Sequence, residues 1–331
     1  MCLFAVAFCT AFSSPAIAQP IEPRHEVLVV VGATGSPAFA SGFEAAAERW
    51  RAACDAAGAA FTLVGIAGPD EARAPDSTAD RDAISAWFSR LDPASPRPAW
   101  FVYLGHGTWD GREAKFNLRG VDLAGSELSL LLARLRDRPA VIIHGGSASG
   151  PFVPLLAGPQ RVIVTATSSG DEVNYARLGE RLAEVIGAPA GAGDLDMDGQ
   201  VSVLEAFIAA ARSVELFYAG EGRMATEHAL IEDNGDGRGT PADFFQGARL
   251  VRRSSDGTAP DGALARRIAL VETQEERALT AEQRARRDQL EADLEVLRAG
   301  KASMPEADYL AALERILRQL SAVYLGDTQD S

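Results

Sequence analysis

The chain has 331 residues, 47% hydrophobic and 24% charged, with 46 acidic side chains against 32 basic ones and a formal net charge of -14. This length allows one large domain or two modest ones, and the apolar content supports a full core, which excludes a disordered chain. The acidic balance excludes a nucleic-acid surface or an anionic membrane as the main partner and suits cation binding.

Residues 1–18 read as an export signal: an apolar run from Cys2 to Phe12, then the small residues Ala16-Ile17-Ala18 ahead of Gln19. The run is too short for a permanent membrane anchor. The expected location is therefore periplasmic or extracellular. Cleavage would remove Cys2 and Cys9 and leave Cys54, which alone makes neither a disulfide nor a zinc site and reads as a small buried hydrophobe. No later stretch approaches eighteen apolar residues, so no membrane span is expected.

From Glu26 onward strands and helices alternate. Glu26–Val31 is a continuous apolar run, and Phe43, Ala47 and Trp50 then recur at helical spacing. Phe61–Val64 is a short strand, and 68–77 is a Pro/Ala/Asp-rich loop. Ile84, Trp87, Phe88 and Leu91 share a helical face. Strands are expected at Trp100–Leu104, Ala140–Ile143 and Arg161–Ala166, with helices near Glu127–Leu135 and from Val173 to Ile186. Apolar strands separated by helices predict an α/β fold, a mostly parallel sheet covered on both faces, over 26–190.

Beyond Gly187 the pattern changes. Two Asp/Gly-rich stretches flank a helix near Val203–Ala219 within a calcium-loop segment at 191–250. Over 260–326, Thr280 with Gln283 and Ser303 with Glu306 each resemble a capping box. Leu290, Leu294 and Leu297 are expected to face Leu310, Leu313, Leu317 and Leu320 in a helical hairpin that docks on the core or forms a dimer interface.

The chemistry is densest at 194–205. Asp194, Asp196 and Asp198 stand at positions one, three and five of an EF-hand-like loop, Gly199 at six, Ser202 at nine and Glu205 at twelve. A hard cation takes six to eight oxygens, and alternating carboxylates in a tight turn converge on one point. The Gln200 carbonyl would add a backbone oxygen, so Ca2+ is the expected cofactor. A weaker copy runs through Glu232, Asn234, Asp236, Arg238, Thr240 and Asp243, with Gly237 at position six, Glu in place of the usual first Asp and the shorter Asp243 at twelve. In either case the alternative is a polar turn without metal.

Two strands end in glycine-flanked loops: Gly105-His106-Gly107-Thr108, and His144-Gly145-Gly146-Ser147-Ala148-Ser149-Gly150. Ligands of open parallel sheets bind beyond the carboxyl ends of strands. A His at one strand end and a Gly/Ser turn at another form a candidate nucleophile site.

These residues resemble the caspase and legumain group of cysteine peptidases. That group places His-Gly after one strand and a Cys in an Ala-Cys-x-Ser-Gly-like turn after the next. His106-Gly107 matches the first motif, and Gly146-Ser147-Ala148-Ser149-Gly150 lies over the second. The strand at 162–167 and Glu172-Val173-Asn174-Tyr175-Ala176 are similar to legumain, and the likeness spans about Glu26 to Ile186. It implies a caspase-hemoglobinase-like α/β fold with a catalytic pair at His106 and Ser147. Ser147, however, stands where the group has its nucleophilic Cys. Gly145 stands where legumain has an acidic residue, and the loop Gly32-Ala33-Thr34-Gly35 lacks the group's substrate-binding Arg. A serine needs a closely bonded base, itself held by a third group, whereas a thiol ionises readily.

The expected function is thus a catalytically weak or inactive peptidase relative that binds peptides or proteins at the strand-end crevice. The alternatives are an active serine-type hydrolase using Ser147 and His106, with Gly107 and Asp110 in support, and a purely structural turn. Dinucleotide binding at Gly32–Gly35 is disfavoured, because Ala38 replaces the third glycine and Pro37 interrupts the receiving helix.

Overall fold

A computed structural model describes residues 25–66, 74–188, 191, 193–252, 257–258 and 260–325. The expected export signal at 1–18, most of the loop expected over 68–77, and Gly326 lie outside the described residues.

The element order is β1 (Glu26–Val31), α1 (Pro37–Ala57), β2 (Ala60–Val64), α2 (Ala79–Arg90), β3 (Ala99–Leu104), the short strands β4 (Gly107–Trp109), β5 (Ala114–Phe116) and β6 (Leu123–Ala124), α3 (Gly125–Ala133), β7 (Ala140–His144), α4 (Phe152–Leu156) and β8 (Arg161–Thr165). After these come α5 (Leu178–Val185), α6 (Val203–Gly220), β9 (Leu230–Glu232), β10 (Thr240–Pro241), β11 (Phe245–Gln246), β12 (Arg249–Leu250), α7 (Gln274–Ala278), α8 (Ala281–Gly300) and α9 (Glu306–Leu325). The main sheet has the order β10-β9-β8-β7-β3-β1-β2. Strands β8, β7, β3, β1 and β2 run parallel, while β9 and β10 add an antiparallel edge.

The continuous apolar strands follow from burial on both faces. Side chains alternate: Val27, Val29, Trp100, Val102, Val141 and Ile143 pack towards α1, α5 and α6. Leu28, Val30, Phe101, Tyr103 and Ile142 pack with Ile84, Phe88, Leu128 and Phe152 of α2, α3 and α4. Trp50, Trp100 and Phe207 are each 0% exposed. Full burial of one large apolar side chain contributes roughly 1.5–3 kcal/mol. Helix α1 opens with Pro37 in its first turn and the Ser36 hydroxyl accepting from Ala38 N–H, and closes on Gly58 at φ 63°.

Three local expectations are revised. The helix expected from Val173 starts at Leu178, because the preceding stretch lies over the β7–α4 turn, where Ala148 N–H donates to the Glu172 carbonyl. The Glu227 carboxylate accepts from the N–H groups of Arg177 and Leu178 and so fixes the helix start. Ser303 does not cap α9: its hydroxyl donates to the Gly300 carbonyl, and Tyr309 N–H donates to Pro305 instead. Thr280 does cap α8, in a reciprocal box with Gln283.

The α8–α9 hairpin has its own small core of Leu290, Leu294, Ile316 and Val323, flanked by Leu297, Leu313 and Leu320. Leu310 and Leu317, expected to face inward, are 53% and 48% exposed. The inward positions are Tyr309, Ile316 and Val323, one residue along the helix, which is about 100° of rotation. Among the described residues no helix is long and apolar enough to cross a membrane.

Candidate functional site

The sheet order reverses at β1: β2 lies on one side of it and β3 on the other. The crevice of such a sheet lies beyond the carboxyl ends of the strands at that point. His106 emerges from β3 there. Its half-buried ring sits between Phe39, Phe43 and Tyr175, with centroids 5.5, 5.7 and 6.0 Å away. Burial lowers the pKa of His106, and a hydrogen bond to the Thr34 carbonyl partly opposes this.

Ser147 follows β7, the strand beside β3. Tyr103 pairs with His144 in register, so the loops carrying His106 and Ser147 leave the sheet side by side. They touch backbone to backbone. A Cβ placed on Gly107 would lie 2.4 Å from the Ser147 carbonyl oxygen, and one on Gly146 would lie 2.0 Å from the Gly105 carbonyl oxygen. Both glycines are needed for this approach.

Ser147 is nonetheless covered, at 2% exposure. Ala148, at φ 50°, turns the chain under Glu172, and Ser149 is knotted to Thr167: its N–H donates to the Thr167 hydroxyl at 2.7 Å, and its own hydroxyl accepts from Thr167 N–H at 2.9 Å. The Glu172 side chain ties its own segment down, accepting from the Ser168 hydroxyl at 2.5 Å and from His228 N–H at 2.8 Å. Among the described residues no hydrogen bond joins the His106 ring to the Ser147 hydroxyl. Asp110 is engaged elsewhere. Its carboxylate closes the β4–β5 turn by accepting from Arg112 and Glu113 N–H, at 2.9 and 2.8 Å, and these bonds hold its pKa low.

Sequence reading assigned no role to His144, which stands at the centre of this region. Strand alternation directs its ring away from the α1 side, into a cage of Phe116, Phe152 and Tyr103 with centroids 4.8, 4.6 and 5.0 Å away. Its Nδ1 accepts from Gly146 N–H at 3.2 Å, while its buried Nε2 has no hydrogen-bond partner among the described residues and lies 3.2 Å from where a Gly107 Cβ would be. Burial drives its pKa down to about 3, so the ring is neutral. Nearby, the Tyr103 hydroxyl shares its proton between the carbonyls of His106 and Asn117, at 2.7 and 2.9 Å. The only sequence signal for His144 was its place as the last inward residue of an apolar strand.

At the predicted calcium loop, Asp194, Asp196 and Asp198 place carboxylate oxygens within 4.8 Å of one another. Asp194 accepts from the N–H groups of Asp198 and Gly199, which shapes the turn, and Gly199 takes φ 88°. Desolvation, followed by the charges of Glu205 and Asp198, raises Asp196 to about 6. Glu205 is 2% exposed. Its carboxylate accepts from Leu195, Asp196 and Ser202 N–H and from the Ser202 hydroxyl, in a capping box that opens α6. The Gln200 side-chain oxygen accepts from Thr273 N–H, joining the loop to the segment before α7. The donor set fits a hard cation: three converging carboxylates on one turn, with the Glu205 carboxylate bonded to the backbone of the same loop.

The second loop is the turn of the β9–β10 hairpin. Glu232 is fully buried, accepts from Gly235 and Gly237 N–H, and is raised to about 7 chiefly by burial, with Asp261 and Asp233 adding. Asn234 and Asp236 accept from Asp236 and Arg238 N–H, as turn closures do. Thr240 donates to Asp261, and Asp243 pairs with Arg252. Among the described residues, only the first loop gathers three such groups.

No family model matches this chain, and no curated protein matches it. Its structure is similar to those of two caspases. The Drosophila initiator caspase Dronc aligns at 11% identity and a TM-score of 0.43, over 66% of this chain and 82% of that one. Caspase-1 from Spodoptera frugiperda aligns at 11% identity and a TM-score of 0.42, over 68% of this chain and 94% of that one.

Proposed function

We propose that this chain is an exported, calcium-binding relative of the caspase and legumain-type peptidases, catalytically weak or inactive, that acts by binding a peptide or protein at the strand-end crevice. The observation that carries this reading is the state of Ser147. Its loop lies beside that of His106, yet Ser147 is 2% exposed and, among the described residues, no hydrogen bond joins its hydroxyl to the imidazole. A serine hydroxyl without a bonded base is a poor nucleophile. The half-exposed His106, Phe39 and Tyr175 offer an aromatic surface to a ligand, with Phe39 and Tyr175 stacked at 4.3 Å.

In the same reading, Asp194, Asp196, Asp198 and the Gln200 carbonyl hold Ca2+, and Glu205 exchanges its hydrogen bonds for the ion. The ion would neutralise crowded carboxylates and tie the loop to α6 and the C-terminal helices. Export fits this, because weak sites fill where calcium is millimolar.

The test is labelling with an acyl-fluorophosphonate probe, with His106→Ala and Ser147→Ala as controls. The expected result is no specific label. Labelling at Ser147 that disappears in both variants would establish the serine-hydrolase reading in its place.

A further inference from the structure

A cavity of about 530 Å3 adjoins the candidate site without belonging to it, where the β4–β5 turn, the start of α4 and the β9–β10 hairpin meet. It lies within the size range of small-molecule sites, roughly 300–1,000 Å3. Its walls are mainly apolar, from Trp109, Val153, Pro154, Leu155 and Leu230, with Ser168 and Ser169 also lining it. Glycine backbone at Gly150, Gly237 and Gly239 keeps it open: a Cβ on Gly239 would lie 2.7 Å from the Leu230 Cβ, and Gly237 takes φ 76°.

One charged side chain lines this cavity, Arg112. It stands at the exposed tip of the β4–β5 turn. The neighbouring Asp110 carboxylate is turned inward onto the N–H groups of Arg112 and Glu113. Among the described residues no carboxylate pairs with the Arg112 guanidinium. In a chain of net charge -14, an uncommitted guanidinium beside an apolar hollow sets the complementary ligand: an anionic head on an apolar body. Guanidinium binds carboxylate through two parallel N–H donors.

We propose that this cavity is a binding site for a small apolar monocarboxylate, its carboxylate on Arg112 and its hydrocarbon against Trp109, Leu155 and Leu230. The proposal does not depend on whether Ser147 is reactive or on whether a peptide occupies the crevice.

The test is calorimetric titration of the full chain with octanoate, with octylammonium as the opposite-charge control. Octanoate is expected to bind and octylammonium is not. Arg112→Glu is expected to weaken octanoate by about tenfold or more, the scale of one charge-assisted hydrogen bond. Leu155→Glu, at a wall residue that is 38% exposed and so tolerant of charge, should do the same. Unchanged melting temperatures would show that both variants are folded. No heat from octanoate, equal binding of octylammonium, or unchanged affinity in either folded variant would overturn the proposal.

Discussion

The carbonyl oxygen of Ser147 faces the α-carbon of Gly107 so closely that a Cβ on residue 107 would lie 2.4 Å from it. One contact thus fixes how near the β3 and β7 loops approach each other. Gly107→Ala is expected to destabilise the protein by about 1–3 kcal/mol, the usual scale of overpacking. Urea unfolding of the variant beside Gly111→Ala would check this. Gly111 has open space around it but φ 86°, so it reports backbone strain alone.

His144 should shape the acid limb of stability. Its folded pKa of about 3 lies below the ordinary 6.5, so the unfolded chain binds the proton first as pH falls. The stabilising contribution is whole above pH 6.5 and drains away between 6.5 and about 3, by up to about 1.4 kcal/mol per pH unit. His144→Gln, which can still accept from Gly146, should flatten this slope between pH 6.5 and 5. Denaturant midpoints at three pH values would measure it. A slope equal to the parent's would show that His144 is not buried neutral.

Calcium should stabilise the chain by mass action. At a free concentration about a hundredfold above the dissociation constant, one site adds about 2.7 kcal/mol. The melting temperature is expected to rise with millimolar calcium, fall on chelation and lose its response in Asp194→Ala. No calcium shift in the parent chain would remove the site.

The C-terminal hairpin is tied down by a charged cluster. Arg287 and Glu276 form an ion pair with side chains 11% and 6% exposed, Asp288 lies 2.7 Å from Arg287, and the Tyr324 hydroxyl donates to Glu276 at 2.5 Å. Removing one partner of a buried pair leaves the other uncompensated, at about 3–5 kcal/mol. Arg287→Ala should therefore expose α8 and α9 to limited proteolysis well before the sheet domain. Arg287→Met combined with Glu276→Leu should restore most of the resistance.

The parallel sheet was legible because its strands are uniformly apolar and its helices carry apolar residues at helical spacing. The strands β4, β5, β6, β9 and β10 were not, since two or three residues show no periodicity. Thr280 was legible as a cap because its box with Gln283 is local. Ser303 has the same spelling, but the chain tightens around Gly300 and uses the hydroxyl there. His106 and Ser147 could be placed at neighbouring strand ends from their loops. The burial of Ser147 could not, nor could the tie from Glu172 to His228, 56 residues later in the chain. The second Asp/Gly stretch has the same spacing as the first but weaker residues at positions one and twelve, and its side chains are also claimed by neighbours the spacing does not reveal: Asp261 claims Thr240, and Arg252 claims Asp243.

The antiparallel strand β9 is the partner of β8, yet it is separated from it by the 194–205 loop and the whole of α6. During synthesis, a nascent chain that has emerged only to residue 190 presents Arg161–Thr165 as a bare sheet margin, unpaired until Leu230–Glu232 follows. Open margins of this kind recruit other chains. If the chain is exported unfolded and binds calcium as proposed, that margin would form only after translocation, where the ion could hold the intervening loop for the closing strand.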